Sequence, residues 1–209
     1  MRHLMLPGRD PEVGLTVQDA VITVSLASSS PRRIVRDERE LRRLLGPALF
    51  GADGESLAGA LVRLLRRRRR TLALAESATG GLISHLLTEV PGASRVLLEG
   101  RSVYTEEAKR RLGVPATFLK RHGPVSEVVT RDLATRIRKT SGSTWGLAVT
   151  GVAGPSGGSR SLPVGTVFLA LAGPQGVQAA RLHVLGDRSQ VKRRAALCAL
   201  DLLRLSASG

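Results

Sequence analysis

Three stretches of the chain carry residue types able to do chemistry. Glu76-Ser77-Ala78-Thr79-Gly80-Gly81 groups two hydroxyls with two glycines at a strand-to-helix turn. Glycine lets a ligand approach the backbone closely, and free N–H groups at a helix start attract anions. The same residues also make an ordinary N-capped turn. Tyr104-Thr105-Glu106-Glu107-Ala108-Lys109 sets a tyrosine and a lysine five apart at a second strand-to-helix junction, so the two can converge on one pocket. A neutral lysine can act as general base for a serine when burial or nearby cations lower its pKa, and a tyrosine can relay the proton. The plainer alternative is a surface lysine paired with Glu106 or Glu107. The third stretch, Gly151-Val152-Ala153-Gly154-Pro155-Ser156-Gly157-Gly158, follows a strand with no helix after it. It lacks the lysine of a phosphate-binding P-loop and does not fit the dinucleotide fingerprint. Long glycine-rich loops in compact domains are more often functional than idle, which makes it a ligand loop.

These loops need a scaffold. Strand patterns at 71–75, 95–104, 145–150, 165–172 and 178–184 alternate with helical ones at 82–89, from 105, and at 126–141. A final helix, capped by Asp187 or Ser189, ends near 205. This alternation predicts an α/β fold: a three-layer α/β/α domain with a mixed, mostly parallel sheet. The hairpin at 165–184 makes the sheet mixed, and sites in such sheets sit on loops at strand ends. Upstream, Ser56 caps a helix with Leu57, Leu61, Leu64 and Leu65 on one face. Residues 12–17 and 21–26 alternate as a hairpin does, and 37–45 read as a short charged helix stopped by Gly46-Pro47. This small β-hairpin/helix appendage precedes the main domain, with the division expected at 1–50 and 51–209. An isolated hairpin is marginally stable, so it needs the main domain, a partner or further neighbours.

Composition narrows the function class. The chain has 209 residues, is 42% hydrophobic and carries 32 basic against 17 acidic residues, a net +15. A single cysteine, Cys198, makes no internal disulfide, and four scattered histidines give no metal-ligand spacing. There is no apolar run of membrane-spanning length and no leader-like stretch before Glu12, so the expectation is a cytoplasmic protein. A basic face can bind nucleic acid. The aromatics Phe50, Phe118, Phe168, Tyr104 and Trp145 are too few, and not interleaved with arginines, to form a single-strand groove. The five arginines at 66–70 suit the solvated C-terminal end of a helix, so nucleic acid is not the favoured partner.

Taken together, these stretches resemble the CinA C-terminal family. The resemblance rests on Thr71 through Gly81, Pro91-Gly92-Ala93-Ser94, Tyr104 through Lys109, and His122-Gly123-Pro124-Val125-Ser126-Glu127. It continues through Val149-Thr150-Gly151-Val152-Ala153-Gly154-Pro155, Pro163-Val164-Gly165-Thr166-Val167 and Gly186-Asp187-Arg188, in the family's order over about 50–209. The resemblance implies a nicotinamide-nucleotide amidase. Such an enzyme hydrolyses nicotinamide mononucleotide to nicotinic acid mononucleotide and ammonia in pyridine-nucleotide recycling, with no metal or cofactor. It places the nucleophile on Ser94, the lysine on Lys109 and the tyrosine on Tyr104. Ser77 is the runner-up nucleophile, since it too lies in an exposed turn. Ligand contacts fall on Ser77, Thr79, Gly80, Thr150, Gly151, Ala153 and Gly154, and a phosphate-holding arginine on Arg188. Family members tend to be homodimers.

Residues 11–45 resemble the tail of the middle domain of full-length CinA proteins, joined by Leu45-Gly46…Phe50-Gly51. The larger N-terminal domain, tied in the family to ADP-ribose pyrophosphatase activity, has no counterpart in these residues. The chain also departs from the family pattern. Ala78 replaces a usual Cys, Thr105-Glu106 a usual Ser-Asn, Arg101-Ser102 small apolar residues, and Lys192 a usual Arg. Glu106 puts a carboxylate beside the lysine, which raises the lysine's pKa. Arg188, with Lys192, is expected to hold a nucleotide phosphate and to keep Lys109 deprotonated. The alternative is a non-catalytic competence or damage-inducible factor acting near DNA or the recombinase RecA.

Overall fold

Ser56, Thr105, Ser126 and Asp187 each accept a backbone N–H through the side chain, and each starts a helix. These are α2 (Leu57–Arg67), α4 (Glu106–Arg111), α6 (Glu127–Ser141) and α7 (Arg188–Ser208). At α7 the cap is reciprocal: Asp187 takes the Gln190 N–H while the Gln190 side chain takes the Asp187 N–H. The computed structural model describes residues 2–209. Met1, the first residue of the segment read for a leader, lies outside them. The chain divides into two compact units, one ending at Gly54 and one starting at Glu55.

In the first unit, β1 (Glu12–Gln18) and β2 (Val21–Ala27) form the expected antiparallel hairpin. The helix read at 37–45 begins earlier, and α1 spans Pro31–Leu45. Ser30 sits at its N-cap and Pro31 at its first position, where a missing N–H costs nothing. Inside it, Asp37 is fully buried and pairs with Arg9 and Arg36. Leu15, Val17 and Ile22 of the hairpin remain exposed.

The second unit holds five strands in the order β4-β3-β5-β6-β7: β3 (Leu72–Glu76), β4 (Leu97–Ser102), β5 (Trp145–Gly151), β6 (Thr166–Gly173) and β7 (Gly176–His183). Neighbours β4, β3 and β5 are parallel, while β6 is antiparallel to both β5 and β7. Only β6 therefore runs against the rest, as a mixed, mostly parallel sheet requires. The strand read at 95–104 is shorter because Ala93–Arg95 forms a 3₁₀ turn instead.

The faces of the sheet differ in side-chain size. Ala73, Ala75, Ala148, Ala170 and Ala172 meet Val129, Leu133, Ala134 and Ile137 of α6. A Cβ on Gly146 would stand 2.2 Å from the Ala134 carbonyl, so α6 packs almost onto the backbone there. Strand alternation turns Leu72, Leu74, Leu147, Val149, Leu169 and Leu171 to the opposite face. On that side pack α2, α3 (Leu82–Thr88) and α7. Large residues facing three helices and small ones facing one give the three layers. Sequence reading missed α5 (Ala116–His122). Seven residues are too few to show periodicity, although Pro115 before it and Gly123 after it are the usual punctuation.

Candidate active site

Parallel pairing brings the loops after β3, β4 and β5 to one edge of the sheet. A pocket of about 260 Å3 opens there. Ser77 and Ala78 come from the loop after β3, Tyr104 from the turn after β4, and Glu106 and Lys109 from α4. Gly151 ends β5 and Ala153 follows it, Pro124 and Val125 precede α6, and Arg188 opens α7.

Lys109 is 2% exposed, and its Nζ lies 3.2 Å from Ser77 Oγ. The surface pairing with Glu106 or Glu107 is thereby overturned. Burial pushes the Lys109 pKa below its ordinary value, against an opposing upward pull from the Glu106 charge. The expectation that Arg188 and Lys192 keep the lysine deprotonated is replaced by desolvation as the cause.

Tyr104 is 55% exposed and accepts a 2.7 Å hydrogen bond on its hydroxyl from Arg188 Nη2. Arg188 Nη1 donates to the Gly154 carbonyl at 2.8 Å. These two bonds fix the guanidinium in the pocket lining while leaving other donors of its fork free. Arg188 has no carboxylate partner among the described residues.

Several expected ligand groups serve the scaffold instead. The Glu76 carboxylate, 1% exposed, accepts from Thr79 Oγ1, Ser84 Oγ, and the backbone N–H groups of Gly81, Ile83 and Ser84. It therefore fills the start of α3, which sequence reading left open to an external anion. Thr79 is spent on Glu76, and neither Thr79 nor Gly80 lines the pocket. Gly80 stands near Lys192, whose Nζ is 3.8 Å from where a Cβ would sit. The single proton of Thr130 goes to the Ser126 carbonyl, so the buried Thr150 hydroxyl donates to Thr130 Oγ1, 2.7 Å away. Thr150 is held in that buried hydroxyl chain and does not line the pocket.

Ser94 does not line the pocket. It is exposed on the 3₁₀ turn before β4. The following Val96 carbonyl bonds the Leu72 N–H at the start of β3, whereas Ser77 follows the end of β3. The length of a five-residue strand, roughly 15 Å, therefore separates the two serines along the sheet. Sequence reasoning missed Glu76, Pro124 and Val125. A lone glutamate ending an apolar strand before a Gly-Gly turn was the available signal for the first.

Among the described residues, no helix is long and apolar enough to cross a membrane. The family model of the CinA C-terminal domain matches residues 54–206. A CinA-like protein of Anaeromyxobacter sp. (strain K) is 48% identical over 175 residues, which is 83% of this chain and 43% of that relative. The chain spans about half the length of the curated relatives it matches. A crystal structure of a competence/damage inducible protein from Agrobacterium tumefaciens superposes with a TM-score of 0.71 at 35% identity. The match covers 77% of this chain and 99% of that one. A CinA superfamily protein from Klebsiella pneumoniae also gives 0.71, at 30% identity over 75% of this chain and 99% of that one.

Proposed function

Because the chain belongs to the CinA C-terminal domain family through residues 54–206, we propose that it is an amidase acting on nicotinamide mononucleotide. The observation that supports this reading best is the buried lysine within hydrogen-bond reach of a serine hydroxyl, in a pocket that also holds an arginine without a carboxylate partner.

Neutral Lys109 takes the proton of Ser77 Oγ as the oxygen attacks the carboxamide carbon. The carbonyl oxygen becomes an oxyanion. Ala78 and Ala153 line the pocket, and their backbone N–H groups have no partner among the described residues, so these are donors that could serve the oxyanion. The ammonium of Lys109 returns its proton to the leaving nitrogen, and ammonia departs from the ester left on Ser77. Water, deprotonated by the same lysine, then hydrolyses the ester and frees nicotinic acid mononucleotide. Arg188, already oriented by Tyr104 and Gly154, holds the substrate phosphate.

This reading takes Ser77 as nucleophile in place of Ser94, because Ser77 is the serine that the lysine touches. The test is ammonia release from nicotinamide mononucleotide by the purified protein. Ser77→Ala and Lys109→Met are expected to lose about 10³-fold or more in kcat. Ser94→Ala should stay within a few-fold of the parent. No release by the parent sinks the activity. Loss in Ser94→Ala with retention in Ser77→Ala sinks the assignment of the nucleophile.

A further inference from the structure

A second concavity of the second unit, larger than this pocket, shares no lining residue with it. It is a groove of about 740 Å3 between the C-terminal turn of α2 and the turn that leads into β4. Six arginines line it: Arg63, Arg66, Arg67, Arg69, Arg70 and Arg95. Arg63 is matched by Glu55. The guanidinium groups of the other five have no carboxylate partner among the described residues. Arg66 reaches across to the far wall, where its Nη1 lies 3.1 Å from the position of a Cβ on Gly92.

The dipole of α2 accounts for cations in its last turn, Arg66 and Arg67. It does not account for Arg69 and Arg70, which lie beyond the helix end. Arg69 takes a left-handed φ of 50 degrees, and the Arg70 N–H returns to the Leu65 carbonyl. Nor does the dipole account for Arg95, which belongs to a separate 3₁₀ turn. Three segments thus converge unmatched positive charge on one groove, and its mutual repulsion is relieved when a polyanion sits there. The rest of the wall is aliphatic apart from Gly59, Pro91 and Thr71, with no aromatic side chain. It therefore offers no platform for stacking bases.

We infer that this groove docks the phosphate backbone of a nucleic-acid duplex, without reading its sequence. Guanidinium forks suit phosphate oxygens, and several of them gathered in one groove suit a backbone of regularly spaced charges. The inference is independent of the amidase reading.

The test is fluorescence anisotropy with a labelled random-sequence DNA duplex. Binding is expected to weaken roughly 100- to 500-fold between 50 and 200 mM salt if four to five phosphates are contacted. Arg67→Glu/Arg70→Glu and Arg95→Glu should each weaken binding more than about tenfold, and the double variant should flatten the salt slope by about two. Arg32→Glu/Arg39→Glu makes the same charge change as the double variant on α1, in the first unit, and should change binding less than about threefold. An unchanged thermal melt and circular dichroism spectrum show that the groove variants are folded. No duplex binding at 50 mM salt, or equal losses in groove and control variants, overturns the inference. Displacement of the duplex by inorganic triphosphate at equal phosphate concentration also overturns it, by marking a small-anion site.

Discussion

Lys109 Nζ and Ser77 Oγ stand 3.2 Å apart although 32 residues separate them in the chain. Their contact follows from β3 and β4 lying side by side in parallel, so that the loop after one strand faces the helix after the other. Burial then sets the chemistry, since an amine removed from water gives up its proton more readily.

Activity should rise with pH along a limb set by Lys109, at a pKa below the ordinary lysine value. Glu106→Gln removes the charge that pulls this pKa up, so the limb of kcat/KM should move to lower pH. An unmoved limb counts against Lys109 as the base. Stability has the same sign. Between the folded and the unfolded pKa the unfolded chain binds more protons, so unfolding free energy rises with pH in that window. Lys109→Met should flatten that rise in urea titrations at stepped pH.

Arg188→Ala should raise KM for nicotinamide mononucleotide more than it lowers kcat. A lost charged hydrogen bond of about 1.5–3 kcal/mol corresponds to roughly 10- to 100-fold in kcat/KM. The same variant should act on the phosphate-free riboside about as well as the parent does. An equal loss on both substrates would show that Arg188 supports the pocket rather than the phosphate.

Glu76→Gln should destabilise the second unit by about 2–4 kcal/mol, since an amide cannot accept all the donors now gathered on the carboxylate. Urea unfolding measures this. A change below about 0.5 kcal/mol would mean that the start of α3 finds other partners.

Thr150→Val should cost about 1 kcal/mol by breaking the buried hydroxyl chain to Thr130, while leaving KM for the mononucleotide unchanged. A several-fold rise in KM with intact stability would return Thr150 to the list of substrate contacts.

Residues adjacent in the chain wrote much of the fold into the sequence. The caps at Ser56, Thr105, Ser126 and Asp187 work through the next three residues. The hairpin at 12–27 and the alternation of strands with helices likewise show in local periodicity, because side-chain facing is set by position along one element. The CinA motifs lie in short contiguous runs, and the matched span of 54–206 agrees with them. Tertiary structure decided what faces what. Only the parallel register could put Ser77 at the lysine and Ser94 at the far end of β4, because strand direction decides which loops share an edge. Only close packing could bury Lys109 away from water, turn Glu76 into the cap of α3, and tie Arg188 to Tyr104, 84 residues away. The burial that gives these residues their chemistry comes from elements distant in the sequence, and no local pattern encodes it.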